Sequence, residues 1–324
     1  MSKKKQQNFH WGMEALHGSG ISKKEAQELE VRIKTDSQDL AARAALLGYY
    51  SNGNARSKAA KRRQIEHILW TIEHAPACDL GKTPVLHISK KENPEAFEEA
   101  KELILLQCKK FANKPEVLAD LGCMLRHEDM ETAELVLRQA YSVSKKRKSI
   151  AFWLSQLLFR FGKEQNDSAK MEEAVSFMQE VVNTENNAKR FDSRFWLAKM
   201  ALDSGQIALA RSVSQEILKN NSENNGCVHV AHTVLGEIAL HSGDTPSAIE
   251  HLLQAGRVGS SPRLVSYGPL MKLAQDLLAS GYEESVVQYL EDCKNFWEMG
   301  KTMLPKWIEE IKRGETPTLQ GDDW

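Results

Sequence analysis

Three glycines, Gly205, Gly243 and Gly281, stand 38 residues apart, and this interval constrains the chain more than any other feature. At one fixed offset before each lies a leucine followed by a small residue: Leu197-Ala198, Leu235-Gly236 and Leu273-Ala274. At a fixed offset after each lies Ala210, Ala248 or Val286, and farther on Ile217, Ala255 or Cys293. A glycine between two apolar stretches gives the backbone freedom of a tight turn, and small residues at matched positions let two helices approach closely. The pattern predicts antiparallel helix hairpins in tandem. Fainter units precede them, at Leu154-Ser155 with Gly162 and at Leu121-Gly122 with Ala133 and Ala140; Leu47-Gly48 is a candidate start for another.

Helix-start signals recur along the chain. "SKKE" at Ser22–Glu25 has the capping-box form, in which hydroxyl and carboxylate each satisfy an orphan backbone N–H. "NPEAFEEA" from Asn93 offers a cap, a proline at the first helical position and early acids, and "TPSA" from Thr245 repeats the cap-then-proline order. No alternating run bounded by hairpin turns is found, so the chain reads as all-α. Hydrophobic residues make up 41% and charged residues 27% of 324, enough for a sizeable core. A net charge of −1 speaks against a dominant nucleic-acid or anionic-membrane surface. No apolar run is long enough for a transmembrane helix, and the basic start "MSKKKQQNFHWGM" is not followed by the apolar core of a secretory signal. The five scattered cysteines form no C-x-x-C pair and fit a reduced, cytoplasmic protein.

The segment "HTVLGEIALHSGDTPSAIEHLLQAG" (His232–Gly256) resembles the tetratricopeptide repeat, with its Leu-Gly, then Gly, then Ala, then closing Ala. The resemblance runs from about Pro115 to about Glu315. It implies a right-handed α-solenoid of antiparallel helix hairpins. The 38-residue interval exceeds the family's usual ~34, and the signature Trp and closing Pro are mostly absent. Ligand contacts of other members are therefore not carried over. "LLGYYSNG" with "RRQIEHILWTIEHAP", and "GSSPRLVSYGPLMKLAQDLL" with "YLEDCKNFW", resemble a bacterial group of such proteins; this implies a fold and a bacterial origin but no activity. The expected division is 1–112, a divergent N-terminal helical region; 113–313, TPR-like repeats; and 314–324, a flexible tail.

Several stretches are candidate sites. Along "RRQIEHILWTIEHAP", Ile65, Ile68, Leu69 and Ile72 form one face, while Arg63, His67, Trp70 and His74 line the opposite one. That second face is either a recognition surface for an anionic or aromatic ligand or a packing face against the segment holding His10 and Trp11. In repeat hairpins the first helix usually lines the concave side. By glycine register, Tyr49, Arg126, His127, Gln156, Phe159, Arg160, Phe195, Lys199, Glu237, His241 and Gln275 fall there, a mixture suited to a peptide groove. "GRVGSSPRLVSYGPLM" (Gly256–Met271) is a connection dense in Gly and Pro. Its Arg263 and Tyr267 either sit in an anion-holding loop or belong to a rigid spacer before the last hairpin. The tail "RGETPTLQGDDW" either frays or docks through Trp324.

Chemistry of other kinds finds little support. Cys227, His229 and His232 in "CVHVAH" could converge on zinc, but no carboxylate is placed to help. "HEDME" at His127 lacks the second histidine of a metalloprotease helix. "SVSK" (Ser142–Lys145) is too short a pattern to define a nucleophile, and it runs into the basic "KKRK" (Lys145–Lys148), which reads as a solvated turn. No phosphate-binding loop, dinucleotide fingerprint or nucleophile elbow is present. The expectation is a non-enzymatic scaffold without cofactor or metal, holding a partner protein or peptide and binding neither nucleic acid nor membrane. The alternative is an anion- or small-molecule-sensing accessory protein using the Arg63/His67/His74 face or the 259–269 loop.

Overall fold

The computed structural model describes residues 11–54, 57–144, 148–184, 193–220 and 224–321. The regular elements there are helical: seventeen α-helices, short 3₁₀ turns and an irregular turn after the third helix, with no strand among the described residues. None of the helices there is long and apolar enough to cross a membrane. The chain forms two compact units, Met1–Phe161 and Gly162–Trp324.

In the first unit, α1 (Trp11–Gly18), α2 (Lys23–Thr35), α3 (Leu40–Tyr49) and α4 (Lys58–His74) precede α5 (Pro94–Lys110), α6 (Pro115–Leu125) and α7 (Met130–Val143). The unit boundary falls inside α8 (Lys148–Gln165). The capping box at α2 forms as its sequence predicts, with Ser22 N–H donating to Glu25 at 2.7 Å and Glu25 N–H to Ser22 Oγ at 3.3 Å. Pro94 does open α5, but the Asn93 side chain makes no cap bond.

The second unit holds α9 (Ser168–Asn183), α10 (Arg194–Asp203), α11 (Ile207–Lys219), α12 (Asn225–His241) and α13 (Thr245–Gly256). It continues with α14 (Pro262–Ser266), α15 (Lys272–Ala279), α16 (Glu283–Cys293) and α17 (Met303–Lys312). The three evenly spaced glycines end α10, α12 and α15 in the left-handed region, at φ of 77°, 82° and 84°. Each turn makes the same pair of backbone bonds. After α12, for instance, Asp244 N–H reaches Ala239 O at 2.9 Å and Gly243 N–H reaches Leu240 O at 3.0 Å. This double closure satisfies orphan carbonyls at the helix end, and a side chain at positive φ would be strained there. Helices α10 and α11 run antiparallel: Arg194 at the start of α10 meets Glu216 near the end of α11 at 3.1 Å.

The matched small positions are buried. Ala198, Ala274, Ala210, Ala248 and Val286 are 0% exposed. A Cβ on Gly236 would lie 2.4 Å from Leu273 Cδ2, so its smallness is a condition of helix contact. One cap differs from expectation. Asp244, not Thr245, caps α13, accepting from Ser247 N–H at 3.2 Å; Thr245 is already helical, and the preceding carboxylate satisfies the orphan donor. The third hairpin keeps the interval but not the proportions. Its first helix, α15, has 8 residues against 17 in α12, and the Gly- and Pro-rich stretch with α14 takes the place of the missing turns.

Candidate functional site

The repeat register puts Lys199 on α10, Glu237 on α12 and Gln275 on α15 at one equivalent position, and here the second unit concentrates buried polarity. Lys199 pairs with Asp203, whose other oxygen lies 3.6 Å from Lys163 Nζ. Glu237 is 2% exposed, and its nearest cation is Lys272 at 3.8 Å. Lys272 itself pairs with Asp276 at 2.5 Å. Burial pushes the Glu237 carboxyl up, only partly opposed by the charges of Lys199 and Lys272. His241, on the next turn, donates from Nδ1 to Glu237 O at 2.7 Å.

At the third equivalent position the side chain holds another segment of the protein. Gln275 Oε1 accepts the Leu319 N–H at 2.8 Å. Leu319 is buried in the hydrophobic cluster that also contains Leu273, Leu277, Trp307 and Ile311. Farther along, a Cβ on Gly321 would lie 2.2 Å from Pro269 O and 2.7 Å from Met271 Cγ. The stretch Glu315–Gly321, expected as tail, has no regular secondary structure and docks by one apolar side chain and its own backbone. Trp324, the residue expected to anchor it, lies outside the described residues.

The connection before α15 is fixed from several sides. Leu270 N–H donates to His229 Nε2 at 3.0 Å, which leaves Nδ1–H to donate to Ala255 O at 3.0 Å. Complete burial lowers His229 to about 4, so the imidazole is neutral and its tautomer is set by these two bonds. Tyr289 OH donates to Leu270 O at 3.0 Å. Two glycines have steric reasons: a Cβ would lie 2.5 Å from Asn225 Nδ2 at Gly259, and 2.4 Å from the Trp297 ring at Gly268, where φ is also 88°. The Arg263 guanidinium lies 5.3 Å from the ring centres of Phe195 and Trp196. Phe195 is buried, whereas Tyr267 remains 67% exposed.

Cys227, His229 and His232 do not converge. Cys227 is fully buried and His229 uses both nitrogens on the main chain, while His232 Nδ1 meets His251 Nδ1 at 3.0 Å. No group of three His, Cys, Asp or Glu able to hold a metal occurs among the described residues. Of "KKRK", residues 145–147 lie outside them.

In the first unit, the second face of α4 meets Glu30 of α2 and Arg43 of α3. Arg43 Nη1 donates to His67 Nδ1 at 3.1 Å, so the ring proton sits on Nε2 and is given to Glu30 Oε1 at 3.1 Å. Tyr50 OH donates to the same carboxylate oxygen at 2.7 Å, and Arg63 lies 3.9 Å from the other. Burial would raise the Glu30 carboxyl, but hydrogen bonds from His67 and Tyr50 with the charge of Arg63 pull it down to about 2. Arg43 also lies 3.7 Å over the Trp70 ring, and Trp70 stacks on His74 at 4.8 Å. Arg63 and His67 are thus brought to one acid, and His74 to Trp70. His10 lies outside the described residues. Tyr49 packs on the small cluster of Ala26, Ile33, Ala42 and Leu46.

Arg126, His127 and Arg160, named separately in the sequence, come together. Arg160 donates from Nη1 to His127 Nδ1 at 2.7 Å, and Arg126 donates to Cys123 O at 2.7 Å and Gly81 O at 3.3 Å. Arg126 and His127 border a cleft of about 370 Å³ that also involves His87 and Glu128. Sequence reasoning missed Glu30, Arg43, His87 and Leu319. Of these only Leu319, an apolar residue in a polar tail, left a signal. No protein-family model matches the chain, and no curated relative matches it.

Proposed function

We propose that this chain is a non-enzymatic interaction scaffold, a right-handed solenoid of TPR-like hairpins whose first helices hold an extended segment of a partner protein. The single observation that carries the reading is the contact of Gln275 with Leu319, in which a repeat-equivalent side chain holds the main chain of a non-helical segment while a leucine is buried beside it. The same position recurs on the neighbouring first helices as Glu237 and Lys199, which are buried, so Gln275 is the member of the row that meets a segment. Stacked hairpins present such a surface largely preformed, so little binding energy is lost to ordering the receptor. A cytoplasmic setting belongs to the proposal and is supported by five cysteines that are buried and in no disulfide.

A labelled peptide with the sequence Gly314–Trp324 tests the idea in trans on the full chain carrying Leu319→Asp, which displaces its own segment. Saturable binding is expected, lost when the peptide carries the same Leu-to-Asp change and weakened by Gln275→Ala in the protein. Equal binding of both peptides, or none, would overturn the proposal.

A further inference from the structure

We propose that the cleft beside the end of α6 binds a small organic oxyanion, a carboxylate or phosphate head carried on a compact apolar body. The site lies within the first unit and is independent of the scaffold proposal. Its volume of about 370 Å³ suits a fragment-sized ligand. Pro84, Leu86 and Met124 line it as apolar wall, and His87, Arg126 and His127 as polar wall.

The distribution of donors and acceptors sets the sign of the ligand. The acid in the wall, Glu128, is already engaged through both oxygens, with His87 Nε2 at 2.8 Å and Lys90 N–H at 3.1 Å. Asp120, nearby on α6, pairs with Lys82 at 2.6 Å. Thr83 spends its hydroxyl proton on Leu80 O at 2.6 Å. Among the described residues Arg126 has only neutral acceptors: the carbonyls of Cys123 and Gly81, and Lys82 O at a marginal 3.5 Å. Its remaining contact is the Trp153 ring at 5.3 Å. A partly buried guanidinium without a carboxylate is a standing attraction for an anion, because the charge-assisted bonds it forms are among the strongest in proteins.

His127 supplies a second donor of known identity. A guanidinium cannot accept a hydrogen bond, so Arg160 Nη1 at His127 Nδ1 forces the ring proton onto Nε2. The ring stays neutral, since partial desolvation at the cleft wall and the charges of Arg126 and Arg160 lower it to about 4. The cleft thus offers an N–H from His127 and a cation from Arg126, with an apolar wall for the body of the ligand. A cationic ligand would meet Arg126 unfavourably, and a neutral apolar one would leave both donors without acceptors.

Trp153 makes the test local. The 324-residue chain labelled with 5-fluorotryptophan is titrated with phenyl phosphate, benzoate and inorganic phosphate, with phenol as the neutral analogue. The Trp153 fluorine resonance is identified by its loss in Trp153→Phe. Phenyl phosphate or benzoate should shift that resonance saturably, and whichever binds tighter identifies the head group; inorganic phosphate should bind more weakly and phenol not at all. His127→Ala, at an exposed position, should weaken binding about tenfold, the order expected for one hydrogen bond to a charged group, and Arg126→Met should weaken it further. No shift with any organic anion, an equal shift with phenol, or unchanged affinity in His127→Ala would overturn the proposal. The last outcome is decisive even where Arg126→Met does not fold.

Discussion

Glu30 and Glu237 are carboxylates withdrawn from water, one in each unit, and they are held in opposite ways. Glu30 receives a ring N–H and a phenol O–H at 3.1 and 2.7 Å, and its carboxyl falls to about 2. Among the described residues Glu237 has no ion partner closer than 3.8 Å, because Lys199 is committed to Asp203 and Lys272 to Asp276, and its carboxyl rises. Burial acts the same way on both. What differs is donor distance, and a hydrogen bond at contact outweighs desolvation where a charge one ångström farther does not.

The largest test of this contrast is Glu30→Leu. It leaves buried Arg43 without a nearby counter-charge and His67 Nε2–H without its acceptor, so unfolding in urea should show a loss of about 3–5 kcal/mol. A loss below about 1 kcal/mol would place Glu30 with ordinary surface acids. Glu237→Gln should have the reverse sign, because an amide keeps the shape and removes a poorly partnered charge; a gain of about 1 kcal/mol at neutral pH is expected.

The pH dependence separates the two further. Glu30 is depressed in the fold, so its stabilisation is present above the unfolded value of 4.5 and is lost as pH falls towards about 2. Glu237 is raised, so the native state holds its proton more tightly; its contribution declines as pH rises from 4.5 through the folded value. Melts across pH should therefore flatten below 4.5 in Glu30→Gln. The gain in Glu237→Gln should disappear in the same acidic range. The smallest effect is expected from Lys272→Met, at a half-exposed lysine, within about 0.5 kcal/mol in chemical denaturation.

Much of the second unit was legible in the chain. The three glycines, the matched small residues and the apolar positions after them all fell where their spacing placed them, since each reflects a turn or a helix face within a few residues. The Gly256–Met271 stretch was recognisable as a junction, but its composition has causes that are not local: Asn225 crowds Gly259 and Trp297 crowds Gly268. The α4 face was recognisable as unusual, yet nothing in its pattern pointed to Glu30 or Arg43 on other helices. Arg126, His127 and Arg160 were each named, but their meeting with His87 depends on the turns before α5.

By itself the sequence determined an all-helical chain, the turns that end α10, α12 and α15, and the small positions that let paired helices touch. These follow from φ preferences and from a period of about 3.6 residues, both read over short windows. Tertiary structure alone decided the partners of the buried charges and the resting place of the tail. Glu30 and His67 are separated by 37 residues, and Gln275 and Leu319 by 44. No local pattern encodes such pairs; they arise when packing brings distant helices together and desolvation makes each buried polar group depend on the donor beside it.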